Sequence, residues 1–321
     1  MISGHNHNEV VTFLQTRIRN GRGFAGERKL GLVVEGGAMR GTYTGGALLG
    51  LHLLGAVDVF DRAYASSAGA INAAHFLSGV GHLKAATYYK ALADGRFFNP
   101  KRIHRVVDVD FLFDVVLRQE IRLEIERLAV SKTPLDVAVL NCSTGAGEMK
   151  TVAWTSPHAW HTLKAAVAMP VVYNQRIKLE DGYFVDGGMA IPFPLLAAIQ
   201  DGMTDIVLIL SQNPCLPVQS RGLFQRLLWS AIFAKGQSKL IRVFDQWEEN
   251  MRRLNRVACG HEVLMKEINI LTIAPTIQKV RSATMHRVLL RDSCIEMVQE
   301  TLALFGASRD LINPLIEDGH I

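Results

Sequence analysis

The chain has 321 residues, 49% of them hydrophobic, 20% charged and 7% aromatic, and its 35 Lys and Arg against 30 Asp and Glu leave a net charge of +5. That length fits two average domains or one large α/β domain, and that hydrophobicity excludes a disordered, collagen-like or low-complexity chain. So small a positive surplus allows weak attraction to anionic lipid or nucleic acid but demands neither.

Cys142, Cys215, Cys259 and Cys294 are too few and too widely spaced for a disulfide framework. Without a C-x-x-C pair they do not suggest a thiolate zinc cluster either. The opening MISGHNHNEVVTFLQ lacks the basic start and apolar core of a signal peptide, and no run of about 18 uncharged apolar residues occurs. A reducing, cytoplasmic address is the default expectation.

Residues 8–19 carry apolar residues at helical spacing and lead into a Gly/Arg-rich linker, NGRGFAGERK. LGLVV at 30–34 is a short β-branched run stopped by Glu35 and Gly36, the pattern of a buried strand. Helical spacing returns over 41–54, a second strand is expected over 57–65, and a helix rich in small residues over 68–77. Further strands are expected at 135–141, 150–154, 175–179, 183–185, 205–211 and 268–273. Helical patterns lie at 83–93, 117–128, 162–168, 194–200 and 283–304. Strands alternating with helices predict an α/β fold: a mostly parallel central sheet with helices on both faces. The expected organisation is an N-terminal helical extension at 1–27, one α/β domain at 28–275, and C-terminal helices of the same domain at 276–321. Within the domain, 221–259 reads as a basic helical insertion. Its first part, 221–239, is amphipathic. It could dock on a phospholipid surface through Trp229 and Phe233, although a core-packing helix with a solvated basic face is the commoner arrangement.

Three segments bear on chemistry. Gly36-Gly37-Ala38-Met39-Arg40-Gly41 joins a strand to a helix, where small residues let the backbone approach a ligand and the helix start offers unpaired N–H groups. A dinucleotide site would place an acid about 20 residues further on; Tyr64-Ala65-Ser66-Ser67 stands there, without one. Ala65-Ser66-Ser67-Ala68-Gly69 is similar to the G-x-S-x-G elbow that exposes a serine above a sheet, with Ala65 in the first glycine's place. The S-x-G spacing selects Ser67 over Ser66. The alternative is a serine capping an ordinary helix. In the third segment, Glu180 to Gly188, Asp186 ends an apolar strand before two glycines, so its carboxylate could face a cleft or simply shape a turn. Asp181 with Gly182 reads as a hairpin turn.

Taken in order, EGGAMRG, ASSAGAINAA, the helix-to-proline element Ala165–Pro170, and VDGG with Pro194 downstream resemble the patatin-like phospholipase family over roughly residues 29–212, and more weakly to Pro275. The resemblance implies a three-layer sandwich and a Ser–Asp dyad, with Ser67 as nucleophile and Asp186 as base. It also implies an oxyanion hole from the N–H groups of Gly36, Gly37 and Ala38, a loop supported by Arg40 and Gly41, and an elbow flanked by Ala65 and Gly69. The implied substrate is a lipid ester (phospholipid or lysophospholipid). From the residues themselves, which show no metal-ligand cluster and no aromatic-basic interleaving, no cofactor, metal or nucleic-acid partner is expected, and a peripheral membrane contact is allowed. Ala38 and Ala65 each replace a family glycine, and the serine often found before the Pro170 position is missing. These departures leave a catalytically impaired, lipid-binding protein of the same fold as the alternative.

No histidine is expected in the chemistry. His261 and His286 come after Asp186, in the order of a Ser-Asp-His triad, but neither sits in a loop after a final buried strand with supporting small residues, and His286 lies on the helical pattern at 283–304; His75 reads as a helix residue. Asp108 and Asp110 lack the remainder of a calcium loop.

Overall fold

The computed structural model describes residues 2–24, 26–80, 87–102, 105–170, 172–218 and 238–321. Its centre is a nine-stranded sheet built from β1 (Ile2–Ser3), β2 (Leu30–Val34), β3 (Arg62–Ala65), β4 (Leu135–Asn141), β5 (Gly147–Thr151), β6 (Ile177–Leu179), β7 (Gly182–Asp186), β8 (Asp205–Ile209) and β9 (Asn269–Ile273). The order is β1-β9-β8-β2-β3-β4-β7-β6, with β5 on β4. From β9 to β4 the neighbours are parallel, and the antiparallel pairs lie at the margins.

The parallel strands are apolar along their whole length because both of their faces are covered. Successive side chains point to opposite faces, so Leu32 and Val34 join one core while Val33 between them joins the other. The first core is roofed by α1 (His7–Asn20), α2 (Gly41–Leu53), α3 (Ala68–Leu77) and the Arg287–Leu304 helix. The second takes Leu195 and Ala198 from the Leu195–Gln200 helix, and Met251, Leu254 and Val257 from the Ser238–Ala258 helix. This is the α/β architecture with helices on both faces that the hydrophobic pattern predicts. Two glycines allow the closest helix contact: a Cβ on Gly46 or Gly50 of α2 would lie 2.5 Å from Cys294 O or 2.7 Å from Thr301 Cβ.

Several expectations change. β1 is an added edge strand on β9, with Ile2 opposite Ile273. The strand expected at 57–65 is paired only over Arg62–Ala65, because Asp61 turns to accept the Leu30 N–H at 2.7 Å and the Arg17 guanidinium at 2.6 Å. The helices expected at 83–93 and 117–128 become wide, π-type turns at Thr87–Leu92 and Leu112–Glu120, the second followed by a short helix at Ile125–Ala129; residues 81–86 lie outside the described residues. Of the amphipathic segment expected at 221–239, all but the last two residues, Trp229 and Phe233 included, lies outside them too.

The cysteine reading is also corrected: Cys215 and Cys259 form a disulfide, while Cys142 and Cys294 are free and buried. A separation of 44 residues carries no pairing signal in sequence. The pair forms because Cys215 follows β8, and Cys259 ends the long helix that packs over β8 and β9.

Candidate active site

β3 runs parallel to β4 and is paired with it only as far as Val137, whereas β7 runs antiparallel along β4 from Asn141 back to Val139. β5 covers 136–140 and so takes the opposite edge of β4. β3 and β7 therefore share one edge end to end, with their C-terminal ends facing. Ser67, two residues past β3, and Asp186, the last residue of β7, meet in that gap.

Ser67 Oγ donates to Asp186 Oδ2 at 2.6 Å, and Asp186 Oδ1 accepts the Gly188 N–H at 2.7 Å. Among the described residues, the hydroxyl and the carboxyl have no other hydrogen-bond partner. Asp186 is fully buried and Ser67 is partly exposed. Burial pushes the Asp186 carboxyl up to about 7, against the Ser67 and Gly188 hydrogen bonds, which favour its charged form. The helix-to-proline element also reaches the site, since Ala168 O accepts the Asp186 N–H at 3.1 Å.

The backbone around these groups is held in costly conformations. Ser67 has φ +49° and ψ −133°, and Ala38 has φ +52°. Left-handed backbone costs a non-glycine residue roughly 1–2 kcal/mol, and strain of this kind gathers at functional sites. Gly36 is required by close approach, because a Cβ there would sit 2.5 Å from Ser67 Cβ; one on Gly69 would sit 2.6 Å from Glu35 O. A Cβ on Gly188 would lie 3.0 Å from Asp186 Oδ1 and 3.4 Å from Ser67 Cβ, so this glycine keeps the serine uncovered.

The three donors expected of the glycine loop are not equivalent. The Gly36 N–H is engaged with Ser66 Oγ at 3.2 Å. The Gly37 and Ala38 N–H groups have no acceptor among the described residues; Gly37 is partly exposed and Ala38 exposed. The Ala68 N–H, at the first position of α3, is also without an acceptor and lies 3.3 Å from the Cβ position of Gly36. Arg40 folds back on the loop, its Nε 3.0 Å from the Cβ position of Gly37, but that nitrogen makes no hydrogen bond. Gly41 starts α2 under the Tyr88 ring, and its carbonyl accepts from Asn72 Nδ2 at 2.8 Å. Ala65 is the buried end of β3.

Sequence reasoning passed over two supports. Ser66, the serine that spacing sets aside, bridges the loops: it accepts from Gly36 N–H and donates to Pro192 O. Ser282, far along the chain, accepts the Met39 N–H at 3.2 Å and holds the end of the glycine loop. A second serine beside the candidate nucleophile is the sequence signal for the first, and there is none for the second.

The residues set aside have other work. His286 caps the Arg287–Leu304 helix, its Nδ1 accepting from Leu289 N–H at 3.1 Å, and His75 is buried on α3. Asp108 caps Phe111 and pairs with Arg102, while Asp110 is held by Lys164, Arg105 and Tyr173. Asp181, beside Gly182 in the β6–β7 hairpin, pairs with Lys150. Among the described residues, no group of three or more His, Cys, Asp or Glu is placed to hold a metal ion, and no helix is long and apolar enough to cross a membrane.

Residues 32–199 match the family model described as patatin-like phospholipase. An uncharacterized protein of Escherichia coli K12, YjjU, is 24% identical over 185 residues, a match covering 56% of this chain and 51% of that protein. The match thus spans about half the length of that relative. Among solved structures, VipD from Legionella pneumophila is 12% identical with a TM-score of 0.35, covering 86% of this chain and 68% of that one.

Proposed function

Because the chain belongs to the patatin-like phospholipase family, we propose that it is a serine acyl hydrolase of lipid esters, phospholipids or lysophospholipids, acting through a Ser67–Asp186 dyad. The observation that carries this reading is the 2.6 Å hydrogen bond from a strained, partly exposed serine to a buried carboxyl raised to about 7.

A serine hydroxyl is a weak nucleophile until a neighbouring base takes its proton. Asp186 takes that proton as Ser67 Oγ bonds to the ester carbon. A carboxyl with a pKa near the working pH suits the task, since it accepts the proton and can return it. Negative charge moves to the carbonyl oxygen, where the N–H groups of Gly37 and Ala38, with that of Ala68, stabilise it; one such donor is worth about 3 kcal/mol. Collapse breaks the bond to the leaving alcohol, which departs with the proton from Asp186. Water, deprotonated by the same carboxylate, then attacks acyl-Ser67 and releases the fatty acid, restoring the hydroxyl.

Ser67→Ala and Asp186→Asn proteins should each lose hydrolysis of p-nitrophenyl esters and of phospholipid vesicles. A fluorophosphonate probe should label wild-type Ser67. A Ser67→Ala protein as active as wild type would end this reading. A second reading, a lipid-binding protein without turnover, is favoured by Ala38 holding φ +52° in a family glycine's place. Vesicle binding without probe labelling would select it.

A further inference from the structure

Gly36 O and Gly37 N–H belong to one peptide, and in a trans peptide the two point in opposite directions. The described residues contain no cis peptide bond. Whatever holds the Gly36 carbonyl at the back of the loop therefore aims the Gly37 N–H at the front. Ser211, two residues beyond β8, supplies that hold, with its Oγ 2.5 Å from Gly36 O. The same Oγ lies 3.0 Å from Glu35 Oε2, which accepts the Ser211 N–H at 2.7 Å, and Gln212 Nε2 reaches Glu35 Oε1 at 3.3 Å. Glu35 and Ser211 are both buried. Gly37 is the residue that leaves room for the contact, because a Cβ there would sit 2.5 Å from Ser211 Oγ.

A hydroxyl carries a single hydrogen. The shorter contact gives it to Gly36 O, so the firm hold of Glu35 on Ser211 is through the backbone, by the 2.7 Å bond from Ser211 N–H to Glu35 Oε2. Burial raises the Glu35 carboxyl, and the Arg40 guanidinium and the two Ser211 bonds only partly oppose it.

We propose that Glu35 and Ser211 form a positioning relay behind the oxyanion loop: Glu35 accepts the Ser211 N–H and so places that residue, Ser211 Oγ donates to Gly36 O, and the peptide so pinned presents the Gly37 N–H to the substrate's carbonyl oxygen. This rests on the reading of Ser67 as the nucleophile. Neither residue touches the substrate; both act through one peptide plane.

Ser211→Ala removes the relay at the cost of one oxygen atom, Glu35→Met removes its far end, and Glu35→Gln keeps an acceptor for the Ser211 N–H. With a p-nitrophenyl ester, Ser211→Ala and Glu35→Met should lose about tenfold to a hundredfold in kcat, with KM within about twofold of wild type. Glu35→Gln should stay within about threefold of wild type. An aryl boronic acid, which forms a tetrahedral anion on the serine, should bind more weakly by the same factor as kcat/KM falls. A merely structural role would lower the melting temperature without that split between kcat and KM. Active wild type, inactive Ser67→Ala and an unaffected Ser211→Ala would overturn the relay alone. Should Ser211→Ala fail to fold, Glu35→Met indistinguishable from Glu35→Gln in both measurements would overturn it. Wild type inert to esters and probe would overturn the nucleophile and the relay together.

Discussion

As the proposed base, Asp186 should make turnover and stability depend on pH in opposite directions. As a base it works only when ionised, so kcat/KM should rise with pH through a midpoint near 7. For stability the sign reverses. An ordinary aspartate loses its proton near pH 4 in the unfolded chain, whereas the folded protein holds this proton up to about 7. The contribution is complete below about pH 4 and is lost as pH rises through 7, because the unfolded chain then sheds the proton more readily. Asp186→Asn should therefore abolish turnover yet raise the melting temperature at pH 8, measured by calorimetry; a lowered value would show that the charge is not a burden. Ser67 and Ala38 hold the other local costs, their left-handed backbone strain. At this scale the S-x-G spacing favoured Ser67 over Ser66, whereas Asp186 stood out only through the family resemblance, because an aspartate ending a strand before two glycines reads as readily as a turn residue. The sequence offered Ser66 only as a rival nucleophile and was silent on Ser211, because a serine's hydroxyl can serve as nucleophile, cap or bridge, and only its neighbours decide which.

The site depends on strands meeting end to end. β3 and β7 use successive stretches of one edge of β4, so the serine turn and the aspartate are brought together by pairing register (Ala65 opposite Val137, Asp186 opposite Val139). The turn after β7 must then stay bare. Gly188→Ala would place a methyl 3.0 Å from Asp186 Oδ1 and 3.4 Å from Ser67 Cβ. It should lower kcat about tenfold to a hundredfold through displacement of the dyad, while changing stability by only about 1 kcal/mol, since the neighbouring carboxyl must shift by tenths of an ångström. Ester hydrolysis beside a denaturation curve checks both. Most elements were legible from periodicity, the parallel strands above all, since a strand buried on two faces reads as an unbroken apolar run. The π-type turns at Thr87–Leu92 and Leu112–Glu120 were not, because their apolar spacing is close to that of an ordinary helix and the hydrogen-bond pattern is not written in it.

Across the whole molecule, three distant segments brace the glycine loop: Ser66 after β3, Ser211 after β8 and Ser282 before the Arg287–Leu304 helix. The Cys215–Cys259 bond joins the chain just past Ser211 to the end of the Ser238–Ala258 helix. Closing a loop of that length stabilises a protein by about 4 kcal/mol in the chain-entropy model. Reduction should lower the melting temperature of the oxidised protein while leaving turnover at 25 °C nearly unchanged. An activity loss ahead of unfolding would mean that the bond positions the site itself. By its own pattern, the sequence determined the layered α/β class and the buried strands, because hydrophobic period is a local property of the chain. The disulfide, the engagement of Gly36 by Ser66, and the shared edge that sets Ser67 against Asp186 were decided only by the tertiary structure. Each of these depends on which groups lie opposite one another across strands and helices far apart in sequence, and no local pattern records that pairing.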